Sequence, residues 1–291
     1  MTASIDAFDM RQSTRRIGRV RLKLRDLERG AAFYENILGL RRISAEAGRV
    51  VLGTTKTALL ELIAAPEAAA RDPRDAGLFH TAFLLPSRAS LGAWLAFAIA
   101  NGVPVQGASD HVVSEAIYLA DPEGNGIEVY ADTPPSGWHD AAGKLLMTTQ
   151  ALDADGVLAA GQAGSWQGFP EDGLIGHIHL QVGDTAASET FYGDVLGFDL
   201  TKRYPKASFF GADGYHHQLA CNSWNSAGAG ARPRNATGLD GFEILLRGSE
   251  DHAAILARAA RAGVGIEQNG ESVSLRDPWG NGINLRVSGN A

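Results

Sequence analysis

A single cysteine, Cys221, stands in a chain of 291 residues. One thiol closes no internal disulfide and builds no thiolate zinc cluster, and it fits a reducing compartment. No apolar run approaches the roughly 18 residues of a membrane helix. The first residues, MTASIDAFDMRQST, lack the hydrophobic stretch of a secretion signal, so the cytoplasm is the expected location. Basic blocks are missing too: none is longer than a pair such as Arg15 and Arg16, and the formal net charge is -7, which argues against a nucleic-acid surface. With 45% hydrophobic residues, there is apolar material for one large or two medium globular domains.

What is present is repetition. IGRVRLKLRDLERGAAFYENILGL from Ile17 aligns without a gap on IGHIHLQVGDTAASETFYGDVLGF from Ile175, matching Asp26 with Asp184 and Tyr34 with Tyr192. DPEGNGIEVY from Asp121 likewise repeats as DPWGNGINLR from Asp277. Duplication of this kind sets an architecture. Within the first half, the alternation of Arg19 to Leu24 predicts a strand, Leu27 to Ile37 an amphipathic helix ended by Gly39, and short strands follow. The order recurs with strand Phe79 to Leu85, helix Leu91 to Asn101 and a hairpin whose turn, Asp121 to Gly126, carries Pro122 and two glycines. The expected fold is therefore α+β: four βαβββ modules forming two incomplete-barrel domains, at 1–132 and 173–291, with 133–172 as linker.

The hairpin places Glu128 in an apolar strand, where a carboxylate needs a partner or a metal. Aligned modules give Arg19, His80, His177 and Gly241 on the first strands, and Glu61, Glu128, a residue near His217 and Asn284 on the last. The second and third modules together supply two histidines and a carboxylate, the donor set of non-haem Fe(II) sites with open positions, and one that also suits Mn²⁺. The plainer reading makes His80 and His177 satisfied strand histidines and Glu128 a salt-bridge partner.

The modules, the FYENILGL and FYGDVLGF helices and DPEGNGIEVY resemble the vicinal-oxygen-chelate superfamily, which includes glyoxalase I, bleomycin-resistance proteins and extradiol dioxygenases. The blocks HTAFLLPSR, SEAIYLADPEGNGIEVYADTP, MTTQALD and GHIHLQV make the chain most similar to two-domain extradiol enzymes that cleave catechols. That resemblance implies His80, His177 and Glu128 as iron ligands, O₂ as co-substrate and a small aromatic diol as substrate, opened to a semialdehyde. It implies pairing of the second module with the third, since Gly241 and Asn284 cannot ligate as the family's third and fourth modules often do. Tyr118, ten residues before Glu128, takes the place of a tyrosine that binds a substrate hydroxyl, and His217 in HHQLA that of the acid–base histidine. His111 lies near the place of a further substrate-contacting histidine. His216 is a further catalytic candidate, expected on the opposite face from His217, with one of the two at the surface. Trp224, Phe209, Phe210 and Trp138 are candidates to line the pocket, and homo-oligomers are an expectation of the family.

Other readings stay open. A hydroquinone-cleaving enzyme would place its ligands on the first and fourth modules, which Arg19, Gly241 and Asn284 oppose. A glyoxalase-like isomerase or lyase on Ni²⁺ or Zn²⁺ would want a fourth ligand, from Glu61 or His217. A metal-free binding protein would need no triad.

Overall fold

The computed structural model describes residues 7–162, 164–269 and 272–288. Four βαβββ modules follow one another. The first is β1 (Arg15–Leu24), α1 (Leu27–Ile37), β2 (Arg41–Glu46), β3 (Arg49–Gly53) and β4 (Ala58–Ala64). The second is β5 (Gly77–Leu84), α2 (Arg88–Ala100), β6 (Gly107–Asp110), β7 (Ser114–Ala120) and β8 (Gly126–Asp132). After α3 (Ala154–Gly161) come β9 (Leu174–Gln181), α4 (Thr185–Ser188), β10 (Asp199–Tyr204), β11 (Ala207–Gly211) and β12 (Leu219–Asn222), then β13 (Gly238–Leu246), α5 (Ser249–Arg261), β14 (Ile266–Asn269), β15 (Ser272–Arg276) and β16 (Gly282–Val287).

Local chemistry accounts for the module boundaries. Asp26 caps α1 by accepting from the Arg29 backbone N–H, Ser87 caps α2 the same way from Ser90, and Gly39 leaves α1 at a φ of 69°. In the third module the FYGDV stretch departs from the expected α-helix: after one α turn it winds as a π-helix over Glu189–Val195. Along β1 the alternation is carried through, with Val20, Leu22 and Leu24 buried under the helices and Arg19, Arg21 and Lys23 on the concave face.

Hydrogen bonding does not follow the halves of the sequence. One eight-stranded sheet runs β14-β15-β16-β13-β1-β4-β3-β2 and joins the first module to the fourth; the other, β10-β11-β12-β9-β5-β8-β7-β6, joins the second to the third. This is the pairing that the donor series requires. The repeated motifs instead tie each half across the two sheets. Tyr34 of FYENILGL donates to Asp121 of the first DPxGN turn at 3.1 Å, and Tyr192 of FYGDVLGF to Asp277 of the second at 2.8 Å. Each aspartate also accepts backbone N–H groups of its own turn, from Glu123 and Asn125 or from Trp279 and Asn281. Burial and the facing aspartate push both tyrosine hydroxyls well above their ordinary range, so they remain donors.

Residues 133–172 are folded onto the modules. Trp138, Leu145, Met147, Val157 and Phe169 are buried. Where α3 crosses α2, a Cβ on Gly92 would lie 2.0 Å from the Val157 carbonyl oxygen, so only glycine permits the approach. No helix among the described residues is long and apolar enough to cross a membrane.

Candidate metal centre and ring-binding pocket

The centre of the second sheet is the strand triplet β9-β5-β8, and it presents one side chain from each strand. Ala82 on β5 stands opposite both Glu128 on β8 and His177 on β9, with His80 one step along the same face. A methyl group at Ala82 leaves the space into which the three larger side chains lean. Glycine is required beside them: a Cβ on Gly176 would fall 1.8 Å from the Tyr130 hydroxyl.

The donors converge. His80 Nε2 is 2.9 Å and His177 Nε2 3.1 Å from Glu128 Oε2, and the two nitrogens are 3.3 Å apart. Two bonds of about 2.1 Å meeting near a right angle set their donor atoms about 3 Å apart, so this triangle has the dimensions of one face of an octahedral site. All three residues are buried. His177 Nδ1 is buried without a hydrogen-bond partner, which leaves the Nε2 edge as that ring's polar outlet. Burial by itself would raise the Glu128 pKa, but the adjoining His177 and His80 rings outweigh it and hold the carboxyl well below the usual carboxylate range. An ionised carboxylate with two imidazole nitrogens is a donor set that fits a divalent cation of the first transition row.

Around the donors lies a cavity of about 360 Å³. Phe79, Phe209 and Trp224 form an aromatic wall, with Leu119, Ile127 and Met147 completing the apolar lining. Phe79 meets Trp224 edge to face with ring centroids 5.4 Å apart, and Phe209 meets His217 at 5.1 Å. Phe210 and Trp138 are not in this lining; both are fully buried, Phe210 in the main core and Trp138 in a smaller cluster with Tyr215 and Met147. No lysine or arginine is among the described residues that line the cavity.

Tyr118, His111 and His217 all face the cavity. His111 Nδ1 is 2.7 Å from the Thr148 carbonyl oxygen, which can only accept, so that nitrogen carries the proton. His111 Nε2 is then an acceptor, and the Tyr118 hydroxyl, 2.6 Å away, donates to it. The Tyr118 oxygen is left with lone pairs toward the cavity. Burial and the nearby Glu128 charge push its pKa well up, keeping the phenol protonated. His217 packs its ring on His177 with centroids 4.2 Å apart, and burial holds its pKa well below the ordinary histidine value. His179, whose pKa burial also depresses strongly, lines the cavity and shares a hydrogen bond with Asn222 at 3.0 Å.

His216 differs from expectation. Neither histidine of the pair is at the surface, with His216 0% and His217 6% exposed. Both precede β12, which begins at Leu219, so strand alternation is not what separates them. His216 sits behind His217, off the cavity, wedged against Tyr215 and Trp138 and bonded to Asp132 at 2.9 Å. Sequence reading passed over Asp132, although Glu128, Tyr130 and Asp132 share one parity on β8, a period-two signal that could have revealed it. Gln106, Thr148, Thr149 and Tyr204 also reach the cavity from loops and edges with no pattern to announce them.

The chain belongs to the glyoxalase/bleomycin resistance protein/dioxygenase superfamily, whose profile matches residues 16–129 and 174–285. It is 41% identical over 269 residues to the catechol-2,3-dioxygenase of Bacillus subtilis (strain 168), a match covering 90% of this chain and 93% of that protein. Among solved structures, a putative dioxygenase from Bacillus subtilis subsp. subtilis str. 168 superposes with a TM-score of 0.61 at 12% identity, over 94% of this chain and 85% of that one. Glyoxalase I from Zea mays does so with a TM-score of 0.59 at 16% identity, over 95% and 93%. At these identities the structural likeness is one of fold.

Proposed function

We propose that this chain is an extradiol ring-cleavage dioxygenase, an oxidoreductase that holds Fe(II) through His80, His177 and Glu128 and opens a catechol with O₂ to a ring-opened semialdehyde. The observation that carries the reading is the convergence of three buried donors at the floor of an aromatic-walled cavity with Tyr118 on its lining and His217 beside His177. The identity to a catechol-2,3-dioxygenase over most of both chains supports it.

Iron held by His80, His177 and Glu128 would supply open coordination positions and one-electron chemistry for the diol and O₂. The protein's own groups do the remainder. Tyr118 offers its oxygen to a diol hydroxyl, while its own proton is directed to His111 Nε2 and the His111 Nδ1–H is anchored on Thr148. His217, kept neutral by burial, accepts a proton and returns it to the oxygen that departs as the ring opens. Phe79, Phe209 and Trp224 stack on and around the ring and exclude water, and holding the diol beside the iron makes the reaction of two bound partners unimolecular. The described lining residues include no lysine or arginine to pair with a substrate carboxylate, which favours a neutral diol.

The isomerase reading loses Glu61 as a fourth ligand, and His217 is not in the group of donors that converge with His80, Glu128 and His177. Glu61 lies in the other sheet, bound by Arg19 at 3.2 Å and Arg49 at 2.8 Å. The decisive experiment is anaerobic loading with Fe(II) followed by catechol in air. Wild type should give a yellow ring-opened product, and His177→Ala should lose both product and iron. An iron-loaded wild type that cleaves no catechol would overturn the proposal.

A further inference from the structure

A chain of polar groups, buried except for the partly exposed Asp132, runs away from the cavity behind His217. The Asp132 carboxylate Oδ1 receives the Tyr215 hydroxyl at 3.1 Å and lies 2.9 Å from His216 Nε2. A carboxylate oxygen accepts, so His216 Nε2 carries its proton and a neutral His216 ring has a bare Nδ1. That bare Nδ1 is 2.8 Å from Nδ1 of His217. Two bare nitrogens cannot bond each other, so the proton between them belongs to His217 Nδ1, and a neutral His217 has no proton left for Nε2.

We infer that Asp132 is a positioning residue: acting through His216, it fixes His217 as the Nδ1-protonated tautomer, so that an unprotonated Nε2 serves the cavity as proton acceptor. The inference rests on the dioxygenase reading only for the use to which that nitrogen is put. Asp132 touches no reacting atom and is off the cavity lining, yet it decides which nitrogen of His217 is the base. The logic is that of the aspartate in a Ser-His-Asp triad, where replacement by asparagine leaves the geometry and installs the wrong tautomer. Here it reaches through one additional imidazole. Tyr215 holds Asp132 in place and is itself bonded to Tyr130 at 2.8 Å, on the strand that carries Glu128.

The test reads the tautomer directly. The full chain, labelled with ¹⁵N-histidine and loaded with Zn²⁺ as a diamagnetic ion, should show, besides His111, a histidine protonated at Nδ1 and bare at Nε2 whose signals disappear in His217→Gln. Asp132→Asn, whose amide can donate to His216 Nε2 and so reverse the chain, should move that signal to the Nε2-protonated form. In the Fe(II) enzyme, Asp132→Asn should lower kcat on catechol about 100-fold with KM and iron content unchanged, and Asp132→Glu should recover a large part of the loss. A wild-type His217 found protonated at Nε2 overturns the inference even if the variant fails to fold, and so does an Asp132→Asn protein that keeps both the wild-type tautomer and the wild-type kcat. Because the spectrum requires no turnover, a chain that cleaves no diol but shows the expected tautomer refutes the dioxygenase reading and leaves the assignment of Asp132 standing.

Discussion

The two sheets solve the same geometric problem with opposite chemistry. In the second–third sheet the matched places hold His80, His177 and Glu128; in the first–fourth sheet they hold Arg19, Gly241 and Glu61. There, the Arg19 guanidinium lies between two carboxylates, 3.2 Å from Glu61 and 2.8 Å from Glu243, and Arg49 binds the other Glu61 oxygen at 2.8 Å. Two cations neutralise two anions, all supplied by the chain. In the second–third sheet one ionised carboxylate faces two imidazoles and has no lysine or arginine among its ion-pair partners. A buried charge demands a counter-charge. One barrel carries its cation covalently as arginine, and the other leaves the place for a metal.

The sharpest way to break this contrast is Glu128→Gln, which removes the anion that a metal would answer. It should cut iron affinity and turnover by more than the roughly 100-fold typical of losing an outer partner of a metal ligand; colorimetric iron per chain measures it, and a variant that keeps its iron refutes the assignment. Arg19→Met is the mirror experiment. It leaves Glu61 and Glu243 facing each other with Arg49 alone, and should lower stability by about 3 kcal/mol in urea melts while the Fe(II) enzyme keeps its kcat. A large loss of turnover in a folded Arg19→Met protein would show that the sheets are not chemically separate.

The smallest effect per residue is a pH dependence that only the histidine sheet should show. His177, His179 and His217 have depressed pKa values, chiefly through burial. The unfolded chain, with histidine pKa near 6.5, then binds more protons than the folded one just below that pH. Stability is complete above the unfolded value and falls as pH drops toward the folded ones, by about 1 kcal/mol per histidine over the first pH unit. Melts of chelator-treated protein at pH 7.5 and 5.5 should show a lower midpoint in acid, with a smaller shift in His179→Gln. An equal midpoint at both would mean that these rings are not held neutral.

Much of this was legible without coordinates, for identifiable reasons. The DPEGNGIEVY turn is local chemistry, with Asp121 accepting the N–H groups of Glu123 and Asn125, so its sequence is its structure. The donor types could be read by aligning modules because duplication keeps equivalent residues at equivalent strand positions. His216 and Asp132 could not be assigned together, since they are distant in the chain and meet only when β8 and the segment before β12 flank the same cavity. The segment 133–172 looked like connection because its Gly, Pro and Ser content hides Trp138 and Met147, which are buried by partners elsewhere in the chain.

By itself, then, the sequence determined the module, its repetition and the kinds of atoms available to a metal, since caps, turns and alternation depend on neighbours a few residues away. Tertiary structure decided which strands adjoin, and therefore that His80, Glu128 and His177 share a floor while Arg19 fills the other. It also decided which nitrogen of His217 is bare. Those outcomes depend on contacts between residues far apart in the chain, where burial and charge pairing over the whole fold select the partner.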